Sequence, residues 1–184
     1  MKATEELLKE HTAIMLMLDI MEKVSVRIEG ATRVPQEHVV QMLDFLRTFA
    51  DGCHHSKEEE CLFPALEAVG IPRERGPIGV MLSEHELGRK HVNGMSGALS
   101  GLQGGDGTAS AAFVSEARAY INLLRMHIYK ENNILFPMAD LRLTEIQQSE
   151  LLNAFERIET EKVGAGKHEH YHALLKSLKE FYQV

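Results

Sequence analysis

Apolar positions recur every three to four residues along most of the chain. Over residues 4–29, Leu7, Leu8, Ile14, Met15, Leu18 and Met21 share one face with His11 in its middle, the spacing of an amphipathic helix. Gly30 and Pro35 close that stretch and open the next, with Pro35 suited to a first helical position. A second helix runs to about Val69, with Val39, Met42, Leu43, Leu46, Phe49, Ala50 and Cys53 inward. The segment from Gly70 to Pro77 reads as a loop, and a third helix spans about Ile78 to Leu102. Ser100 to Gly107 is rich in glycine and reads as the most flexible linker. A fourth helix covers about Ala109 to Ala139. Thr144 to Gln147 has the form of a capping box. The helical region it opens breaks near Gly164-Ala165-Gly166 and then resumes. Strand alternation is absent. The pattern predicts an all-α fold, an antiparallel up-and-down four-helix bundle over residues 1–140, with a C-terminal helical extension (141–184) packed on it.

An internal repeat sharpens this picture. The segment His54-His55-Ser56-Lys57-Glu58-Glu59-Glu60-Cys61-Leu62-Phe63-Pro64 aligns with His127-Ile128-Tyr129-Lys130-Glu131-Asn132-Asn133-Ile134-Leu135-Phe136-Pro137, at an offset of 73 residues. Glu10-His11 and Glu84-His85 recur 74 apart. Residues 1–69 therefore map onto 77–140. Each half supplies a histidine on its first helix and a His-x-x-x-Glu on its second. Positions four apart lie about 40° apart around an α-helix, so His54 and Glu58 reach one point, as do His127 and Glu131. His54 faces the core with Leu43 and Ala50, whereas His55, about 100° further round, is expected to point elsewhere. His11, His85 and His127 fall among apolar neighbours. Four histidines and two glutamates then converge on the bundle centre.

Ionisable groups inside a core are unfavourable unless paired. Buried Glu–His hydrogen bonds that hold the bundle in register are one resolution. Coordination of a metal is another, and the number of inward donors favours it. Nitrogen and oxygen donors favour iron or manganese over a structural zinc, and a carboxylate from each half suits a dinuclear centre.

Composition narrows the setting. The chain has 184 residues, 44% hydrophobic and 26% charged, as a globular domain does. Its formal charge of −7 argues against nucleic-acid or anionic-membrane partners. The first residues lack an apolar signal segment, and no run approaches a membrane span, so a cytoplasmic location is expected. Cys53 and Cys61 lie two helical turns apart and are expected to be reduced thiols.

The His54-x-x-x-Glu58 and Leu62-Phe63-Pro64 motifs, with their repeats, resemble the hemerythrin-like HHE cation-binding family over about residues 1–140. The stretch Glu84-His85-Glu86-Leu87-Gly88-Arg89 looks like its bacterial branch. The resemblance implies a four-helix bundle with two non-haem iron ions, manganese or zinc being possible substitutes, joined by an oxo or hydroxo bridge. It implies His11, His54, Glu58, His85, His127 and Glu131 as ligands, with Glu58 and Glu131 bridging. Oxygen-carrying members use a fifth histidine one turn after the third-helix ligand. Here that position is Arg89, and His91 is about 120° away from His85. About two octahedral positions are thereby left for water, another side chain or a small ligand. The resemblance implies binding of O2, NO or peroxide as carrier or sensor. The alternatives are a di-iron redox enzyme, oxidase-like, peroxidase-like or NO-handling, and an iron-responsive regulatory or storage module. A separate redox or signalling partner is implied, with a monomer or dimer.

The remaining candidates have plainer readings. His168, His170 and His172 suit a solvated helix start better than a second metal site. Met15, Met17 and Met21 read as core filling, as do the two cysteines, although oxidation sensing is open to the latter. Glu10 and Glu84 are either acceptors that orient ligand histidines or surface acids. Lys57 and Lys130 read as exposed, His38 and His55 have no argument for ligation, and the C-terminal region could gate one end of the bundle.

Overall fold

The computed structural model describes residues 2–164 and 166–184, with the side chains of Val163 and His168 outside the described set. Among the described residues the fold is all-helical, with no strands. Helix α1 is Ala3–Glu29, α2 spans 36–68, α3 is Pro77–Gln103, α4 spans 107–142, α5 spans 145–163 and α6 is Lys167–Tyr182. The first four form the bundle, and α5 and α6 lie along α1 and α2. Asp106 caps α4 by accepting the Thr108 N–H at 2.8 Å, and Thr144 with Gln147 makes the capping box of α5. The expected long linker is shorter than its glycines suggest. Helix α3 continues to Gln103, and only Gly104-Gly105-Asp106 joins it to α4. Gly101 is needed inside that helix for space, since a Cβ there would meet Ala109 Cβ at 2.5 Å.

Two helices are not uniform. Helix α2 is α-helical over Gln36–Phe45, widens to π-helical turns over Leu46–His55 and again over Glu58–Leu62, and ends α-helical at Phe63–Ala68. Helix α4 repeats the second device, with π-helical Glu131–Leu135 before Phe136–Arg142. For the turns at Glu58–Leu62 and Glu131–Leu135 the cause is the repeated proline. Pro64 and Pro137 have no N–H to give, and in a tight α-helix their rings would press on the carbonyl four residues back. The chain relieves this by widening the preceding turn, so that the Phe63 and Phe136 N–H groups reach back five residues to the carbonyls of Glu58 and Glu131.

The apolar core is divided. One cluster, including Leu18, Phe45, Phe49, Met95, Tyr120 and Ile121, fills the half of the bundle nearer the α1–α2 and α3–α4 connections. Tyr171, Leu174, Leu175 and Leu178 of α6 belong to it, and the Tyr171 hydroxyl donates to Asp44 at 2.9 Å. The other cluster, with Leu7, Leu62, Phe63, Ile78, Leu135 and Phe136, closes the opposite end, where Leu151 and Phe155 of α5 complete it. The band between the two clusters is polar and buried, and the histidines lie in it.

Candidate metal centre

All six residues singled out by the repeat are at most 2% exposed, and the bundle brings them together. His11 Nε2 lies 3.0 Å from His54 Nε2 and 3.2 Å from Glu131 Oε2. His85 Nε2 lies 3.1 Å from His127 Nε2 and 3.4 Å from Glu58 Oε2. Glu131 Oε1 is 3.1 Å from His127 Nε2, and Glu58 Oε1 is 3.7 Å from His54 Nε2. Each carboxylate thus spans both histidine pairs, one oxygen to each. Adjacent donors on one octahedral ion, with bonds of about 2.1 Å, sit about 3.0 Å apart. The inward atoms hold nearly that spacing. Both oxygens of Glu58 and both of Glu131 are buried without a hydrogen-bond partner, an unfavourable state for a carboxylate unless it ligates a cation. The donor set fits a pair of metal ions.

The outward ring nitrogens are all engaged. The Nδ1–H of His54 donates to Glu10 at 2.8 Å, and that of His127 to Glu84 at 2.9 Å. His85 donates to Glu59 at 2.7 Å and His11 to Asn132 at 2.6 Å. These partners hold the rings in the tautomer that turns an Nε2 lone pair inward. Glu10 and Glu84 are therefore orienting acceptors rather than surface acids. Glu59 and Asn132, which the sequence reading missed, are equivalent positions of the repeat, each holding the first-helix histidine of the other half. Phe63 and Phe136 do likewise, stacking on His85 and His11 with ring centroids 5.9 and 5.3 Å apart.

His55 overturns an expectation. It is 3% exposed, its ring stacks on His85 at 3.8 Å, and it shares a cluster of possible ligand atoms with Glu58, His85 and His127. Its Nδ1–H donates to Asp51 at 3.2 Å, while Nε2 is buried and unpartnered. Counting 100° per residue fails here because Leu46–His55 is π-helical, with the Ser56 N–H reaching back to the Asp51 carbonyl. The wider turn changes the facing of everything in it. A fifth inward histidine thus stands on the second helix and none at the third-helix position of Arg89. Arg89, in the expected position, lies outside the donor cluster and bonds to Asp51, Glu59 and Glu86. The repeat is broken at the same point, since Ile128 is the counterpart of His55. One side of the centre offers His55, His85 and His127, the other His11 and His54.

Burial shapes the protonation of these groups. It lowers His54 to about 4 despite the bond to Glu10, and burial together with His85 holds His55 well below its usual range. His127 rises to about 9, because Glu131 and Glu84 outweigh its burial. Burial and the charge of Glu131 push Glu58 well above the carboxylate range. Burial would raise Glu131 too, but His127 and His11 hold it well below.

Lys57 corrects a second expectation. It is fully buried, and its ammonium bonds to Glu6 at 2.7 Å, to Glu10 at 2.6 Å and to Glu159 of α5. It occupies the space among Glu10, Cys53 and Glu159, which would otherwise resemble a metal site. Lys130, its counterpart, is 28% exposed and bonds to Glu84. His91 pairs with Glu116 and His38 with Tyr182, both away from the cluster. His170 and His172 are exposed on α6, and the His168 side chain lies outside the described residues. Met17 and Met21 are buried in the core. Cys53 is wholly buried, and burial pushes its thiol up to about 12. At pH 8 the reactive thiolate is then about one part in ten thousand. Iodoacetamide at that pH should leave Cys53 of the native protein unmodified for hours while labelling it promptly in denaturant, as peptide mass spectrometry would read. Prompt native labelling would contradict the buried placement.

The profile of the hemerythrin HHE cation binding domain matches residues 2–139. The chain belongs to the hemerythrin HHE cation-binding family. Among its relatives, an uncharacterised protein of Mycobacterium tuberculosis is 23% identical over 162 residues, 88% of this chain and 63% of its own length. A protein of Edwardsiella ictaluri named iron-sulfur cluster repair protein YtfE is 32% identical over 128 residues, 68% of this chain and 56% of its own length. A protein of the same name from Yersinia pestis is 31% identical over 88 residues, 47% of this chain and 40% of its own length. The chain thus spans less than two thirds of these relatives. No solved structure matches it. No helix among the described residues is long and apolar enough to cross a membrane.

Proposed function

We propose that this hemerythrin-family chain is a non-haem di-iron protein that binds O2 or a related small ligand, NO or peroxide, as carrier or sensor. The observation that carries the reading is the pair of buried carboxylates, Glu58 and Glu131, whose four unpartnered oxygens face two groups of histidine nitrogens. His55, His85 and His127 would hold one iron, His11 and His54 the other, and Glu58 and Glu131 would bridge them. Two irons held in this way supply reversible redox change and coordination positions for a small ligand. Ile128 stands where a sixth histidine would be, so the His11–His54 side has fewer protein donors and is the side expected to admit that ligand. The chain's own residues orient the rings, and the apolar clusters on either side exclude bulk water.

A second reading follows from the relatives named for iron–sulfur cluster repair. Their similarity supports an iron-handling role, in which the chain would give up iron rather than hold a gas. Anaerobic titration with Fe(II) followed by metal analysis tests the common part, with two irons per chain expected. His55→Ala leaves His85 and His127 with the two carboxylates and should weaken the hold on one iron in competition with a chelator, and unchanged affinity for both would remove His55 from the ligand set. Reversible optical change on cycling O2 or NO supports the carrier or sensor. Consumption of peroxide or NO without reversal supports the redox enzyme. Iron that passes readily to an apo iron–sulfur protein, with neither of those, supports the repair-like role.

A further inference from the structure

The residue that replaces the expected third-helix histidine is itself placed to serve the centre. Arg89 is about one third exposed, and its guanidinium joins two carboxylates from α2. Its Nε lies 2.9 and 3.1 Å from the two oxygens of Asp51, and one terminal nitrogen lies 2.8 Å from Asp51 Oδ1 and 2.7 Å from Glu59 Oε1. The other terminal nitrogen reaches Glu86 at 2.8 Å. Asp51 Oδ1 and Glu59 Oε1 are the very atoms that accept the Nδ1–H of His55 and of His85. One planar cation therefore sets the orientation of two stacked rings through two carboxylates.

From this geometry we infer that Arg89 is a positioning residue for the three-histidine side of the centre, holding His55 and His85 with Nε2 inward through Asp51 and Glu59. The inference rests on the di-iron reading for its metal, but not for its geometry. It explains why arginine rather than lysine suits the position. A guanidinium engages two carboxylates in fixed directions, whereas an ammonium is a point charge on a flexible stem. It also accounts for the asymmetry of the halves. On the other side the cation Lys57 engages only the acceptor of His54, Glu10, and does not reach the partner of His11. Asn132, neutral, replaces Glu59, and Leu124 stands at the position equivalent to Asp51. His55, Asp51 and Arg89 form a unit found on one side only.

Loss of the partner that orients a ligand weakens metal binding by about 10–100-fold, and Arg89 acts through two such partners, Asp51 and Glu59, that stay in place when it is removed. Arg89→Met should therefore bind one of the two irons more weakly by about tenfold, the lower end of that range, in competition with a chelator, while the other is retained as in the parent. Arg89→Lys should fall between. Glu86→Ala, which removes only the exposed partner of Arg89, should bind both irons normally. Circular dichroism of each loaded variant checks the helical fold. Histidine long-range nitrogen NMR on the metal-free full chain gives a readout that general structural damage would not produce. The His55 and His85 rings should lose their single Nδ1–H tautomer in Arg89→Met, while His54, held by Glu10, keeps its own. Unchanged affinity for both irons in Arg89→Met, or unchanged His55 and His85 tautomers, would overturn the inference. Failure of the parent protein to load two irons would instead defeat the di-iron reading, and the tautomers would still decide the role of Arg89.

Discussion

Replacing Glu58 by glutamine should abolish most of the thermal stability that metal gives the protein, yet leave the metal-free fold nearly as stable as the parent. The reasoning lies in the two environments of one side chain. Burial and Glu131 push the Glu58 carboxyl well above the usual carboxylate range, which in the metal-free protein favours its uncharged form, a group of the size of glutamine. The substitution conserves volume and exchanges one unpartnered buried polar group for another, so metal-free stability should change by about 1.5 kcal/mol or less. A bridging ligand must be a carboxylate, and an amide does not replace it. At a thousandfold excess of free metal over its dissociation constant, one bound ion stabilises by about 4 kcal/mol. For a chain of this length that is about 8–16 °C in Tm. Differential scanning calorimetry with and without Fe(II) should show this upward shift in the parent and in Glu60→Gln, whose carboxylate is 52% exposed and bonded to Lys162. It should be largely missing in Glu58→Gln. An undiminished shift in Glu58→Gln would remove Glu58 from the centre. A large loss in the metal-free variant, with no response of the parent to metal, would make it a partner that merely holds the helices in register.

Lys57→Met should destabilise the protein by about 3–5 kcal/mol, the range for deleting one member of a buried ion pair. Methionine fills a similar volume, so the effect isolates the charge. It would leave Glu10, 3% exposed, and the half-buried Glu6 and Glu159 without their common cation. Burial already raises Glu6 against the pull of Lys57, so loss of the lysine should raise that carboxyl further. Urea denaturation gives the magnitude. Lys130→Met, at the equivalent position of the other half, should change stability by about 1 kcal/mol or less, since that lysine and Glu84 are partly solvated. Equal effects at the two positions would show that burial under α5 is unimportant. The difference also tests what the C-terminal region does for the bundle, because Glu159 reaches Lys57 from α5.

Much of this organisation was legible in the order of residues. The apolar spacing of Leu7, Ile14, Leu18 and Met21 marks the buried face of α1, and the spacing around His54 and His127 marks those of α2 and α4. A duplicated motif carries more than a single one, since the two halves must solve the same packing problem around one axis. The identities in the repeat at His54, Glu58, Leu62 and Phe63, matched by His127, Glu131, Leu135 and Phe136, mark buried residues. Its differences held further information that went unread. Glu59 and Asn132 are not identical, yet both accept a histidine N–H from the opposite half. His55 was misplaced for a plain physical reason. Periodicity arguments assume 3.6 residues per turn, and the α2 backbone departs from that over Leu46–His55. Lys57 was misjudged because the helix that covers it, α5, comes a hundred residues later, and nothing local to Lys57 signals that cover.

The cross-half contacts also bear on when the centre can form during synthesis. His11 leaves the ribosome early, but Asn132, which turns its ring, lies 121 residues further on. Glu131 and the stacking ring of Phe136 arrive with it. Until then the first two helices hold His11, His54, His55 and Glu58 with an incomplete set of neighbours. Such a half can display donors to passing cations without the geometry to discriminate among them. Assembly of the full donor set is thereby deferred to the docking of the second helical pair, a closure across 121 residues of chain.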